Sequence, residues 1–384
     1  MKKRLLFIID SLGSGGAEKS LISLLPLIDY NRYDVDLIIF ARGGVYEKYV
    51  PKEVNIIDYE LYDDSFLRKI KKIACHALLS TQFRLNKDQH GAEIHWRTMH
   101  HMYHNFPGEY DAAIAYQQGV PTFFLATKVN SKKKIAWINA DVFAAGYDMG
   151  YCKQFYDKTD AVVPVSQRLK DMLSVKTPWI KEKLYCIYDI INPEVIRTLG
   201  KKTVNDMIVP QGYISIVTVG RLSRPKNYLL AIDSARILKE KGLKFKWFFV
   251  GNGEMRKSIE SRIIENGLQE QIILLGFKEN PYPYMAKADI YVQTSAFEGF
   301  GLTIAEAKIL HRPVVSTDFD IVHDQIIKGD NGLIAEMTPE SVAEKIQELL
   351  DNESLRNKII KNLERENNTT SLTEIQKFYK LIEA

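Results

Sequence analysis

Cysteine is scarce: three occur in 384 residues, at positions 75, 152 and 186, and none belongs to a CxxC pair. An odd, dispersed set argues against a disulfide framework and fits free thiols in a reducing compartment. Long apolar runs are missing too. No stretch approaches the roughly 20 residues that a membrane-spanning helix needs. The opening MKKRLLFIID carries an apolar run from Leu5 to Ile9 that Asp10 ends, too short for a secretory signal. A cytoplasmic protein is expected, with contact to a membrane surface left open. Charge of one sign is not in large excess: 52 Lys and Arg face 48 Asp and Glu, a formal net charge of +4. That argues against wholesale coating of nucleic acid. HExxH and a complete GxGxxG are both absent, so the signatures of a zinc protease and of a nicotinamide-dependent oxidoreductase are not met.

The chain does contain a regular alternation of short β-rich apolar runs and longer helical patterns. Strands are expected at Arg4–Ile9, Val35–Phe40, Val54–Ile57, Asp111–Tyr116, Lys134–Ile138, Ala161–Val165 and Leu184–Tyr188. A second series runs through Tyr213–Val219, Lys244–Val250, Gln271–Leu275, Ile290–Gln293, Pro313–Ser316 and Gly332–Ile334. Nearly continuous apolar strands between helices predict parallel sheets covered on both faces. The chain is long for one core, and the Asn-Pro turn in DIINP at 189–193 marks a boundary. The α/β reading is therefore two Rossmann-like domains, 1–192 and 193–370. A final helix within 371–384 is expected to be able to pack back on the first.

Four glycine-containing turns join strands to helices. In Ser11-Leu-Gly13-Ser-Gly15-Gly16, glycines precede a helix whose free N–H groups suit an anion. In Gly220-Arg221-Leu-Ser-Arg-Pro-Lys226-Asn227, two cations lie five residues apart at the carboxyl end of a strand, where open α/β sheets bind ligands. Arg offers planar bidentate contacts to phosphate and Lys a compact charge. Gly251-Asn-Gly253 again allows a phosphate or nucleoside to approach backbone, although a plain strand–helix turn reads equally from the same residues. Ser295-Ala-Phe-Glu298-Gly299-Phe300-Gly301-Leu302-Thr303-Ile-Ala-Glu306 carries the most information. Its two glutamates flank loop amides, and carboxylates accepting from vicinal hydroxyls are a common way to hold ribose and hexose rings.

In order along the chain, GGAEK, VGRLSRPKN, FFVGNGE, LLGF, EGFGLTIAEA, PVVST and NGLIA resemble the family-4 retaining glycosyltransferases of the GT-B fold. The likeness runs from residue 1 to about 350 and is most specific across 217–335. Bacterial polysaccharide-assembly enzymes are the nearest likeness, partly through KKIAWINADVFAAGYD at 132–148. The resemblance implies two domains with parallel sheets facing across a cleft, the first binding acceptor and the second a nucleotide-sugar donor. It implies that Arg221 and Lys226 hold the donor diphosphate, that Glu298 contacts the sugar and that Glu306 binds ribose. Phe300, Gly301, Leu302 and Thr303 would meet sugar and phosphate through their amides, Gly15 and Gly16 would close over the diphosphate, Gly251 would lie in the donor site, and Phe277 would lie beside the base. It implies no cofactor and no metal, a UDP-sugar before other donors, a hexose transferred, and a lipid-linked glycan as acceptor for capsule, exopolysaccharide or O-antigen. Asn139 stands where many relatives carry His. Asn is no general base at neutral pH but does hydrogen-bond hydroxyls, so Asn139 remains a candidate at the catalytic position, with Asp141 nearby.

Two features stand outside that pattern. His90, His95, His100, His101 and His104 cluster, and His100 with His104 would be i, i+4 on a helix. No acid or Cys at ligand spacing accompanies them, so no metal is expected. Arg68, Lys69, Lys71, Lys72 and Arg84 form an acid-free basic stretch within 66–84, suited to a solvated face or to anionic headgroups. Two rival functions share the fold: a nucleotide-sugar 2-epimerase, and an inactive nucleotide-sugar-binding partner subunit.

Overall fold

The computed structural model describes residues 2–13, 15–59, 66–86, 89–366 and 370–384. Two compact units emerge: residues 1–190 with 372–384, and residues 191–371.

The first unit holds β1 (Lys3–Ser11), α1 (Gly16–Leu24), β2 (Tyr33–Ala41), β3 (Val54–Ile57), α2 (Phe66–Leu85), α3 (Gly91–Met99), β4 (Phe106–Tyr110), β5 (Ala112–Ala115), α4 (Val120–Lys128), β6 (Val129–Ser131), β7 (Lys134–Ile138), α5 (Met149–Tyr156), β8 (Ala161–Pro164) and α6 (Gln167–Lys176). Among the described residues the main sheet runs β3-β2-β1-β5-β7-β8, every pair parallel, while β4 and β6 pair separately. Leu5 to Ile9 of β1 and Ala112 to Ala115 of β5 are fully buried, as central strands flanked by helices must be.

The second unit holds α7 (Pro193–Gly200), β9 (Ile214–Val219), α8 (Tyr228–Glu240), β10 (Phe245–Val250), α9 (Arg256–Glu265), β11 (Ile272–Gly276), α10 (Tyr282–Lys287), β12 (Ile290–Gln293), α11 (Leu302–Ile309), β13 (Val314–Thr317), β14 (Leu333–Ala335), α12 (Pro339–Asp351) and α13 (Glu353–Arg365). Its parallel sheet runs β11-β10-β9-β12-β13-β14. Trp247, Phe245 and Phe249 of β10 anchor the core against Tyr228, Ile232 and Leu238 of α8. Trp247 satisfies its indole N–H by donating to Thr218 Oγ1 at 3.0 Å, as a buried tryptophan requires.

Counting the strands of each main sheet in chain order, both sheets have the order 3-2-1-4-5-6, the doubly wound arrangement with a switch point between its first and fourth strands. The last helix, α14 (Thr370–Glu383), returns to the first unit. Phe378 is fully buried there, its ring stacked 6.1 Å from Phe7, and Tyr379 stacks on Tyr33 at 5.7 Å.

Three expectations are corrected. Leu184–Tyr188 forms no strand: it makes one bridge, Val162 to Leu184, and donates from Tyr185 N to Val162 O and from Ile187 N to Pro164 O. Pro164 has no N–H to return, so the ladder stops. The Asn-Pro pair opens a helix rather than only a turn. Asn192 Oδ1 accepts from the backbone of Glu194 and Val195 at 3.1 and 3.2 Å, and Pro193 sits at the first helical position, where its missing N–H is no loss. Finally, α3 ends at Met99 and a 3-10 turn spans His100–Met102, so His100 and His104 share no helix.

Candidate active site

The loops at the switch point of the second unit carry a dense polar arrangement. After β9 the chain passes Arg221, which is exposed, makes a 3-10 turn at Arg224–Lys226 and reaches Asn227 with φ +48°. Asn tolerates this left-handed conformation better than most residues. Tyr228, buried at the start of α8, donates from its hydroxyl to Gly220 O at 3.0 Å. The neighbouring loop after β12 is tied to this one: Ala296 N donates to Pro225 O at 2.7 Å and Thr294 Oγ1 to Lys226 O at 3.1 Å.

Lys226 and Glu298 form an ion pair between these loops, through Glu298 Oε1. The same oxygen accepts from Gln293 Nε2 and from Ser295 Oγ, both at 2.7 Å. Gln293 and Ser295 are buried. Gln293 Oε1 in turn accepts from Tyr291 Oη at 2.5 Å and Thr303 Oγ1 at 3.2 Å. Burial of Tyr291 pushes its phenol far above the usual range, so it stays a donor.

Gly301 adopts φ +86° and precedes α11 without a side-chain cap; Phe300 O accepts from Gln325 Nε2 at 3.1 Å. Leu302 and Thr303 form the first turn of that helix. Glu306 is 1% exposed and its Oε1 accepts from Tyr282 Oη at 3.2 Å. Phe277, just after β11, is 37% exposed, a flat apolar face in the open.

Gly251 has a different neighbour from the phosphate that its motif invites. A Cβ there would lie 1.8 Å from Gly220 O, and one at Gly253 would lie 2.4 Å from Leu222 O. Backbone bonds run across the same contact: Gly220 N donates to Val250 O, Leu222 N to Asn252 O and Met255 N to Leu222 O, at 2.9–3.0 Å. These glycines let two loops press together and so hold the Arg221 loop in place.

In the first unit, Gly15 caps α1 and Gly16 begins it. The space left by the missing side chain at Gly15 is taken by the Glu18 carboxylate, since a Cβ there would lie 2.2 Å from Glu18 Oε2. Burial, with Glu18 nearby, raises the Asp10 carboxyl to about 7. Asn139 follows β7 and donates from Nδ2 to Tyr116 O at 2.7 Å, while its backbone N–H donates to Gln118 Oε1 at 3.0 Å. The orientation leaves Asn139 Oδ1 buried without a donor among the described residues. Asp141 is committed locally, its Oδ1 accepting from Phe143 N and Ala144 N at 2.9 and 3.0 Å. Ser20 Oγ donates to buried Asp189 Oδ1 at 2.5 Å and lies 2.9 Å from Tyr116 Oη. Burial raises Asp189 to about 7.

The structure thus joins Lys226 to Glu298 and, through Gln293, to Thr303, and packs Gly251 behind the Arg221 loop. Gln293, Ser295, Tyr291 and Tyr282 were not foreseen; the polar QTS run at the end of an apolar strand was the available signal. The histidines spend themselves locally: His90 caps α3 and stacks on Tyr147 at 3.6 Å, His95 Nε2 lies 2.9 Å from Tyr103 Oη, and His104 stacks on Tyr59 at 4.6 Å. Of the basic stretch, the helix is present as α2, but the side chains of Arg68, Lys69, Lys71 and Lys72 lie outside the described residues. No helix among the described residues is long and apolar enough to cross a membrane.

Residues 204–366 match the family described as Glycosyl transferases group 1. Along its length the chain is 27% identical to the N-acetylgalactosamine-N,N'-diacetylbacillosaminyl-diphospho-undecaprenol 4-alpha-N-acetylgalactosaminyltransferase of Campylobacter jejuni, over 92% of each chain. The capsular polysaccharide biosynthesis glycosyltransferase CapM of Staphylococcus aureus is 31% identical over 37% of this chain and 38% of its own. Among solved structures, Anabaena Alr3699/HepE in complex with UDP-glucose superposes with a TM-score of 0.72 at 18% identity, covering 99% of both chains. S. aureus TarM, in complex with Fondaparinux, alpha-GlcNAc-glycerol and UDP, superposes at 0.69 with 14% identity and full coverage of both. Sheet order, motif order and these likenesses agree: the chain has the GT-B fold, and its residues 204–366 are similar to the group 1 glycosyl transferases.

Proposed function

We propose that the protein transfers a hexose from a UDP-sugar, with retention of anomeric configuration, to a growing lipid-linked bacterial glycan. The observation that carries this reading is the Lys226–Glu298 pair at the switch point, backed by buried Gln293 and Ser295. Leaving-group departure develops positive charge at the anomeric carbon and negative charge on the diphosphate. Arg221 and Lys226 stabilise the diphosphate from a preorganised loop, without the reorganisation that water would need. Their charge does the work of a divalent cation, so no metal or other cofactor is required. Glu298 orients the sugar by accepting from its hydroxyls, and Glu306 does the same for the ribose. The amides of Phe300, Gly301, Leu302 and Thr303 line the path between them, and Phe277 meets the base. Gly15 and Gly16 serve the diphosphate from the first unit, which also binds the acceptor. Asn139 offers its buried Oδ1 to a sugar hydroxyl and acts by hydrogen bonding rather than as a base. Attack on the face that the leaving phosphate vacates needs no protein nucleophile and retains configuration.

The donor and acceptor classes rest on relatives: HepE was solved with UDP-glucose, and the Campylobacter enzyme is named for a diphospho-undecaprenol acceptor. A lipid-linked acceptor calls for peripheral attachment to the inner face of the plasma membrane, where the basic residues of the 66–84 segment meet anionic headgroups. Calorimetry against UDP, GDP, ADP and dTDP sugars tests the donor. Selective binding of UDP-sugars, lost in Arg221→Ala and Glu306→Ala, is expected; no binding of any at millimolar ligand overturns the reading, whereas binding without turnover favours an inactive partner subunit. NMR of the product linkage tests retention, and unchanged turnover in EDTA tests metal independence. Replacing Arg68, Lys69, Lys71 and Lys72 with Ser is expected to abolish sedimentation with anionic liposomes.

A further inference from the structure

Resting on the reading of Glu298 as the sugar-contacting carboxylate, we propose that Gln293 is a positioning residue that fixes Glu298 for the donor sugar when Lys226 turns to the diphosphate. Glu298 has two oxygens with unequal duties. Oε1 accepts from Lys226, Gln293 and Ser295; Oε2 accepts from none of the described residues. A lysine committed to a phosphate cannot keep a full hold on Oε1. The two neutral donors then remain, and they are buried at the end of β12.

The carboxamide of Gln293 has one workable orientation. Its oxygen faces the hydroxyls of Tyr291 and Thr303, and its nitrogen faces Ser295 Oγ and Glu298 Oε1. A flip would set two acceptor oxygens 2.7 Å apart and take from Tyr291 the amide oxygen that accepts its hydroxyl at 2.5 Å. Tyr291 therefore locks Gln293, Gln293 locks Glu298, and Thr303 ties the first turn of α11 to the same amide. No lysine or arginine at position 293 would do this, since the site needs one acceptor and one donor side by side.

The test compares Gln293→Leu, Gln293→Glu and Glu298→Gln, with kcat, donor KM, UDP affinity, thermal stability and pH profile measured for each. Gln293→Leu is expected to lower kcat about 10- to 100-fold, the scale of one hydrogen bond to a charged group, with UDP affinity within about twofold of wild type. Gln293→Glu separates positioning from packing. Its protonated acid still donates to Glu298, whereas its anion repels it, and two carboxyls this close share one proton. The ionisable groups facing the pair are Lys226 from the loop after β9, Tyr228 from α8, Tyr291 from β12 and Glu306 from α11. Burial keeps both phenols protonated. Gln293→Glu should therefore approach wild-type kcat at the acid end of the range and fall about tenfold per pH step above its transition, a limb absent from Gln293→Leu. If Gln293→Leu fails to fold, that acid-side rescue alone decides the matter. Glu298→Gln with full activity would remove the underlying reading. Glu298→Gln inactive, with Gln293→Glu showing the wild-type pH profile, would overturn the positioning role.

Discussion

Gly251→Ala distinguishes a glycine that serves a ligand from one that serves a neighbouring loop. Its added Cβ would stand 1.8 Å from Gly220 O, whereas ordinary contact begins at 3.4 Å, so the loops must part by about 1.6 Å. The φ of +154° adds strain for any side chain. Three backbone bonds cross the contact at 2.9–3.0 Å. At about 1 kcal/mol net apiece they contribute about 3 kcal/mol, and the strained φ adds roughly 1 kcal/mol. A loss of about 4 kcal/mol should lower the melting of a unit of this size by roughly 8–16 °C. Scanning calorimetry reads this as a downward shift of the transition that belongs to the second unit. Gly253→Ala, at 2.4 Å from Leu222 O, should behave alike and less severely. A shift under about 2 °C together with a collapse of UDP affinity would refute loop packing and return Gly251 to the ligand.

Asp189→Asn should gain on wild type as pH rises. The folded acid titrates near 7 and the unfolded one near 3.8, so between those values unfolding releases a proton and wild type loses stability. The difference should grow from about pH 4 to pH 7 and then level off, with a ceiling near 4 kcal/mol at 1.4 kcal/mol per tenfold; a difference independent of pH in urea titrations would contradict the buried neutral acid. Phe378→Ala should cost about 3–5 kcal/mol in the first unit, seen as early melting of that unit alone. Lys226→Met should weaken UDP binding about 10- to 100-fold, the scale of a hydrogen bond to a charged group, and equal affinity by calorimetry would exclude it from the diphosphate site.

Much of this was legible from sequence because strand and loop chemistry coincide. Apolar runs such as ISIVTV and FKWFFV have one good use in an α/β chain, and the runs at 214–219 and 245–250 become β9 and β10. Lys226 and Glu298 were recognisable as site candidates, but not as each other's partner, since 72 positions separate them. Gly251 shows why glycine motifs are ambiguous: freedom from a side chain serves a phosphate or a carbonyl oxygen equally well. Gln293 was invisible because its four partners come together only when β12, its following loop and α11 are assembled. Asn192-Pro193 misled for a simpler reason, as the same pair both terminates extended chain and nucleates a helix.

The return of α14 makes the first unit discontinuous, with residues 191–371 threaded between its parts. During synthesis the strands around Phe7 and Trp137 leave the ribosome long before Phe378, which packs on both. Their apolar seat stays open until nearly the whole second unit has emerged. Completion of one unit is thereby made to wait on translation of the other, and a chain arrested before residue 378 would present an unfilled aromatic socket to chaperones and proteases.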